Sequence, residues 1–302
     1  MLHEVLDGRQ LTKLEYQHEL PKLQDRLLDA QFVLRKDPKR AVAVIVTGIP
    51  GAGRSEVVNE LLGWLDPKFV ITYGFGAPNE VERQRPALWR YWRIMPPRGR
   101  IAILHAGWYE DFLRGSVLEP LRSAGIVRRE VQRIRRLERM LVSDGVAVVK
   151  VHLHVGPELQ RRRLRKLHSD KRTRWRVTPE DLWEAAHYRR VERAVEHCLE
   201  VTEQPAAPWH LVDGTDRQHR ALEVGKVLLA GIEGRIGNPR AGTSPAGRIA
   251  ASRAKKSSAI LAAAPSTSRE PICASFPPIC AFATYASAVP PSAGASATSA
   301  SP

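Results

Sequence analysis

Alternating apolar strand cores and amphipathic helices over residues 1–236 predict one α/β domain, a five-stranded parallel sheet with helices on both faces. Two further observations set its character. A glycine-rich turn, Gly48-Ile-Pro-Gly-Ala-Gly53-Arg54-Ser55, directly follows the apolar run Ala41-Val-Ala-Val-Ile-Val-Thr47. The 302-residue chain also carries a formal net charge of +15. That charge argues for an anionic partner: nucleic acid, an anionic lipid surface or a phosphate polymer.

Each element can be justified in turn. Tyr16 to Arg35 places Leu20, Leu23, Leu27, Leu28 and Phe32 on one helical stripe that stops before Asp37-Pro38. Ala41–Thr47 is the first strand, and a helix from Arg54 to Leu65 follows the glycine-rich turn. Phe69–Thr72, Arg100–His105, Val146–Leu153 and Trp209–Val212 are the other four strands. Val131, Ile134, Leu137 and Leu141 line one face of a helix that ends at Asp144-Gly145. Helices over Pro157–His168 and Pro179–Val201 come next, the second with proline in its first turn, and Arg217–Ile232 closes the domain.

Near Gly237 the composition changes. Residues 237–302 are rich in Ala, Ser and Pro, with six basic residues against a single acid, Glu270. Such a segment buries too little apolar surface to offset its ordering entropy, so a disordered C-terminal tail is expected. The first ten residues contain Glu4 and Asp7 and lack the apolar stretch of a secretory signal. No apolar run approaches the ~20 residues of a membrane-spanning helix. Cys198, Cys273 and Cys280 make neither a disulfide framework nor a zinc spacing. These features lead to the expectation of a cytoplasmic protein with no membrane partner.

The glycine-rich turn fits the phosphate-loop pattern G-x-x-x-x-G-K-[ST] at every fixed position but one, where Arg54 replaces lysine. Its glycines let backbone N–H groups curl around phosphate oxygens, and the following helix aims its positive end at them. Gly48, Gly51, Ala52, Gly53, Arg54 and Ser55 are therefore the candidate phosphate cradle. A second candidate is the basic stretch Arg161, Arg162, Arg163, Arg165, Lys166, Lys171, Arg172, Arg174 and Arg176, in which Trp175 is embedded. A charge run is usually a solvated helix face. Polyanion contact is preferred here, and nucleic acid is the weaker alternative because aromatics for base stacking are not interleaved beyond Trp175.

The ordered motifs resemble the polyphosphate kinase type 2 family, and specifically the domains of polyphosphate:AMP phosphotransferases. The resemblance runs from about Tyr16 to about Ile232. It is carried by the loop, Gly76-Ala-Pro-Asn-Glu80, Leu88-Trp-Arg-Tyr-Trp92 with Met95-Pro-Pro-Arg-Gly-Arg100, His105-Ala-Gly-Trp-Tyr109, Leu137-Glu-Arg-Met-Leu141 with Asp144-Gly145, Arg174-Trp-Arg-Val-Thr-Pro179 and Pro208-Trp-His-Leu-Val212. It implies a three-layer P-loop kinase-like fold with a helical lid near residues 157–180. The implied activity is phosphoryl transfer between inorganic polyphosphate and AMP or ADP. Arg54 and Ser55 would be catalytic, with Ser55 ligating Mg²⁺, and Arg172, Arg174 and Arg176 would grip polyphosphate. A homo-oligomer is also implied.

The departures point the other way. Where the family has a loop aspartate this chain has Pro50, and its lysine is Arg54. Where it has Asp-Arg at the end of the third strand, this chain has His105-Ala106. The chain thus resembles the degenerate first copy of a tandem enzyme, and a non-catalytic polyphosphate-binding or oligomer-stabilising domain remains the competing expectation. Glu110, Asp111, Glu138 and Asp144 are weak candidates for a surrogate metal carboxylate. His105 reads as a hydrogen-bonded structural histidine, and Trp89, Tyr91 and Trp92 as core packing. His152 and His154 lack the carboxylate or cysteine that would complete a metal set.

Overall fold

The computed structural model describes residues 2–118 and 123–234. The expected disordered segment 237–302, and with it the domain boundary at 236, lies outside the described residues. Five strands form one parallel sheet: β1 (Ala41–Gly48), β2 (Val70–Gly74), β3 (Ile101–His105), β4 (Val146–His154) and β5 (Trp209–Asp213), in spatial order β2-β3-β1-β4-β5. Each begins or ends within about two residues of its expected bounds. β1 is central and buried on both faces, and Ala41 through Val46 have no exposed surface. A strand flanked by partners and covered by helices on each side has to be apolar continuously rather than alternately.

The ten helices of the described residues are α1 (Lys13–Arg35), α2 (Arg54–Trp64), the single turns α3 (Glu80–Arg83) and α4 (Trp89–Trp92), α5 (Tyr109–Leu118), α6 (Ala124–Ser143), α7 (Pro157–Ser169), α8 (Pro179–Ala186), α9 (Tyr188–Thr202) and α10 (Arg217–Ile232). α1, α2 and α10 pack with one another on one face, and α5, α6 and α9 on the other. In α1 the buried residues are Leu23, Leu27, Gln31 and Leu34, whereas Phe32 is half exposed, so the seam lies beside the expected stripe. Tyr91 is buried as expected, but Trp92 is 41% exposed.

The sequence reading expected one helix over Pro179–Val201, and the structure breaks it at His187. His187 Nδ1 pairs with the Trp183 carbonyl at 2.9 Å and its ring stacks on Trp183 at 4.1 Å. The His187 backbone N–H is shared between the Trp183 and Glu184 carbonyls. A side chain inserted into the helical ladder is a recognised cause of such a break.

One buried polar cluster joins the sheet to the α6 and α9 side. Glu138 of α6 and Lys150 of β4 are both fully buried and pair at 3.0 Å. Glu138 also accepts from Trp108 Nε1 (3.0 Å), the Tyr109 hydroxyl (2.6 Å) and Gln204 Nε2 (2.8 Å). The Lys150 ammonium donates to the Tyr109 hydroxyl and the Thr202 carbonyl as well. Every member has a partner, so the cluster fixes Trp108-Tyr109, and therefore the turn after β3, against the sheet. Removing one charge strands the other in a dry interior. Lys150→Met should lower the unfolding free energy in a urea titration by about 3–5 kcal/mol, and Lys150→Met/Glu138→Leu by much less. Equal losses in the two variants would show that the pair does not act as a unit.

Candidate functional site

Parallel register brings three strand ends to one edge. Val46 of β1 lies opposite His105 of β3, and Thr47 lies opposite His152 of β4. Gly48 follows at the end of β1, packed so closely on β4 that a Cβ there would sit 2.7 Å from the Leu153 carbonyl oxygen. The chain then turns through residues 49–53 into α2, with Gly53 at φ +94° as the N-terminal cap. That left-handed backbone comes cheaply only with glycine. The fixed glycines of the motif thus answer to two different constraints, a close approach and a handed turn.

Two arginines hold the loop from behind. Arg220 of α10 is 1% exposed, and its Nη1 donates to the carbonyls of Ala52 (3.0 Å) and Gly214 (3.2 Å) while Nη2 pairs with Glu56 at 2.6 Å. Arg163 of α7 donates to the carbonyls of Gly51 and Gly214, each at 2.9 Å, and of Thr215 at 2.6 Å. The loop carbonyls of Gly51 and Ala52 are therefore committed to protein donors. A Cβ on Gly53 would collide with the Arg220 guanidinium.

In front of the loop is a cleft of about 350 Å³ lined by Arg54, Ser55, Thr72, Gly74, Phe75, His105 and Glu110. Burial, reinforced by the Arg54 charge, holds the His105 imidazole below its ordinary range. Behind it, burial pushes His152 down to about 3, with His154 and Arg54 adding to the effect. The Thr47 hydroxyl donates to the Val151 carbonyl (3.1 Å), so it accepts from His152 Nδ1–H (2.9 Å), which fixes the neutral tautomer. On α8, burial raises the Glu184 carboxyl to about 7; Arg54 pulls it down, whereas Glu180, Asp181 and Glu110 push it further up. Arg114 of α5 stands 3.5 Å from Glu110 and 3.6 Å from Glu180, tying α5 to α8.

The structure thus gathers Gly48, Gly51, Ala52, Gly53, Arg54 and Ser55 at one strand end. It does not bring Arg172, Arg174 and Arg176 to this cleft. They occupy an exposed segment and 3₁₀ turn after α7, where Trp175 is 77% exposed and Arg172 pairs loosely with Asp170. Arg163, one of the expected polyanion contacts, is turned inward to the loop. His105, expected as a hydrogen-bonded structural histidine, lines the cleft. Of the surrogate carboxylates, Glu138 belongs to the buried cluster, Asp111 accepts from the Tyr91 hydroxyl at 3.0 Å, Asp144 caps α6, and Glu110 alone lines the cleft. Sequence reasoning missed Arg220, Thr72, Phe75 and Glu184. Nothing local marks Arg220, which is one more arginine on a helix until the fold carries it beneath the loop.

The grip on the loop is testable by coupling. Arg220→Met should destabilise the protein by about 2 kcal/mol or more, because buried carbonyls lose their donors. Gly53→Ala in the Arg220→Met background should cost less than in the wild type, since the Cβ no longer meets a guanidinium. Strictly additive losses in chemical denaturation would contradict the contact.

Comparison with known proteins accords with this geometry. The profile of the family described as Polyphosphate kinase 2 (PPK2) matches residues 10–238. A polyphosphate:AMP phosphotransferase from Pseudomonas syringae pv. tomato is 34% identical over 226 residues, covering 75% of this chain and 45% of that protein. The chain therefore spans less than half of that relative's length. An ADP-polyphosphate phosphotransferase from Rhodopseudomonas palustris is 29% identical, covering 72% of this chain and 80% of that one. The crystal structure of Polyphosphate Kinase 2 from Arthrobacter aurescens TC1 superimposes with a TM-score of 0.70 at 24% identity, over 85% of this chain and 89% of the other, and so shares the fold. The α/β domain with a glycine-rich loop between β1 and α2 is a member of the polyphosphate kinase 2 family.

Proposed function

We propose that this chain transfers phosphoryl groups between inorganic polyphosphate and a nucleotide, in the direction polyphosphate plus AMP to ADP, with weakened intrinsic catalysis. The observation that carries the reading is the loop Gly51–Ser55. Its carbonyls at Gly51 and Ala52 are occupied by Arg163 and Arg220 and its Ala52 N–H by the Ile49 carbonyl, which leaves the N–H groups of Gly51, Gly53, Arg54 and Ser55 at the start of α2 for an anion in the cleft. On this reading the amides of Gly51 and of Gly53 to Ser55 bind the nucleotide-side phosphates and Arg54 neutralises charge on the group in transfer. Ser55 orients an oxygen by hydrogen bonding. The neutral His105 adds no positive charge and accepts or donates one hydrogen bond at the cleft wall. Arg172, Arg174 and Arg176, exposed on the lid segment, meet the polyphosphate chain as it enters.

A divalent ion such as Mg²⁺ is implied by the family, and the residues fit it poorly. Mg²⁺ prefers oxygen ligands, with one or two carboxylates beside the substrate phosphates. Here Glu110 is the one carboxylate lining the cleft, among the described residues, and the cation Arg54 shares that cleft with an imidazole. No group of three or more metal-ligating side chains occurs among the described residues.

A second reading has its own support: a polyphosphate-binding domain without catalysis, acting beside an active copy in an oligomer. Pro50 lacks both a carboxylate and an N–H, and Ala106 lacks the guanidinium that would meet a transferring phosphoryl group. Loss of one preorganised donor costs ~10²–10³ in rate, so several losses together remove most of the acceleration. The two readings separate in an assay of the full chain with long-chain polyphosphate, Mg²⁺ and AMP, following ADP. Slow turnover that Arg54→Ala abolishes is the expected outcome. No turnover alongside retained polyphosphate binding would replace the first reading with the second, and turnover indifferent to Arg54→Ala would overturn the role given to the loop.

A further inference from the structure

A buried polar atom beneath the loop has no partner. His152 of β4 is 1% exposed, and its Nε2 forms no hydrogen bond. Buried acceptors left unpaired are rare and costly. Thr47 holds the other ring nitrogen, Nδ1–H, at 2.9 Å, so Nε2 carries a lone pair and can only accept. In the parallel register His152 stands opposite Thr47, the residue that precedes Gly48. The ring is therefore fixed, neutral and placed at the strand end that carries the loop.

Arg54 is the complementary case. Among the described residues its guanidinium forms no hydrogen bond or ion pair. Its Cγ lies 3.3 Å from the position of a Cβ on Gly48, so the side chain runs back over the end of β1, beside the Thr47–His152 pair. Its charge acts on three groups around it: His105 of β3, His152 of β4 and Glu184 of α8. They are not equivalent partners. Glu184, as a carboxylate, would cancel the positive charge that an anion in the cleft needs. His105 lines the cleft itself. His152 is held neutral by burial, with His154 and Arg54 adding to the effect. A neutral acceptor can orient a guanidinium without cancelling its charge. The planar fork then offers donors on one edge for the imidazole and on another for phosphate oxygens.

We propose that His152 is the positioning residue for Arg54: its Nε2 accepts a guanidinium N–H as an anion draws Arg54 down over the loop, and so aims the remaining donors at the bound phosphate. The bond gives the buried Nε2 its partner and gives the arginine a fixed direction. Direction matters more for a rigid fork than for a lysine ammonium, whose charge is compact and whose donors rotate. The imidazole keeps its Nδ1–H throughout and no covalent step is involved. This inference rests on the reading of the loop as an anion site, and not on turnover.

Nitrogen NMR spectra of the histidine rings of the full chain, titrated with sodium tripolyphosphate, test it. The His152 signals are identified by their loss in His152→Gln. The expected result is a neutral Nδ1–H ring throughout and a shift of the Nε2 resonance toward its hydrogen-bonded position, absent in Arg54→Ala. Calorimetry supplies the second readout. His152→Phe should weaken tripolyphosphate binding about fivefold, the worth of one hydrogen bond, with no further loss when it is added to Arg54→Ala. His152→Gln, which keeps an acceptor, should retain most of the affinity. An unshifted Nε2 resonance, or losses for His152→Phe and Arg54→Ala that simply add, overturns the positioning role. If Arg54→Ala weakens binding while His152→Phe binds as the wild type does, the inference fails and the proposed function stands. If Arg54→Ala binds tripolyphosphate and ADP as the wild type does, the proposed function fails and the inference with it.

Discussion

The architecture of the cleft depends on two guanidinium groups that bind the carbonyls of its loop from behind. A phosphate loop works only if its carbonyls are turned away from the anion, and a five-residue turn has little of its own to enforce that. Arg163 and Arg220 supply the enforcement by binding the carbonyls of Gly51 and Ala52, and both also hold the carbonyl of Gly214 after β5. The loop, α7, α10 and the end of the sheet are thereby joined through a few charge-assisted hydrogen bonds, each stronger than its neutral counterpart. Glu56, in the first turn of α2, completes the arrangement as counter-ion to Arg220.

The rest of the fold is organised around that edge. The apolar β1, buried throughout, delivers the loop, while β3 and β4 deliver His105 and His152 to either side of it. The Glu138–Lys150 cluster pins the turn after β3 by holding Trp108 and Tyr109. Ala106 in that turn has φ +54°, an uncommon backbone for a residue with a Cβ. Strain of this kind persists where surrounding structure over-determines it, and the cluster provides that surrounding structure.

Much of this was legible in the residues. All five strands stand where continuous apolar runs predicted them, and the loop was recognisable from glycine spacing alone, because strand burial and left-handed turns leave strong local signatures. What was not legible depends on distance in sequence. Arg220 lies 168 residues from the Ala52 carbonyl it binds, and Glu184 of α8 comes into the field of Arg54 of α2. The expected single helix also breaks at His187. That break has no proline or glycine to announce it. The basic run at 161–176 is divided by the fold, which turns Arg163 inward, leaves Arg172, Arg174 and Arg176 on an exposed turn, and places Arg161 at a separate hollow with arginines from α9.

On the proposed function, the scaffold of a phosphoryl-transfer site is intact and its chemistry is weakened by a few substituted side chains. The most direct measurement is the transfer rate of Pro50→Asp/Arg54→Lys/His105→Asp/Ala106→Arg relative to the wild type, with long-chain polyphosphate and AMP. The expected gain is at least ~10²-fold, the worth of one restored electrostatic donor. A folded variant no faster than the wild type would contradict it and place the defect in the scaffold itself.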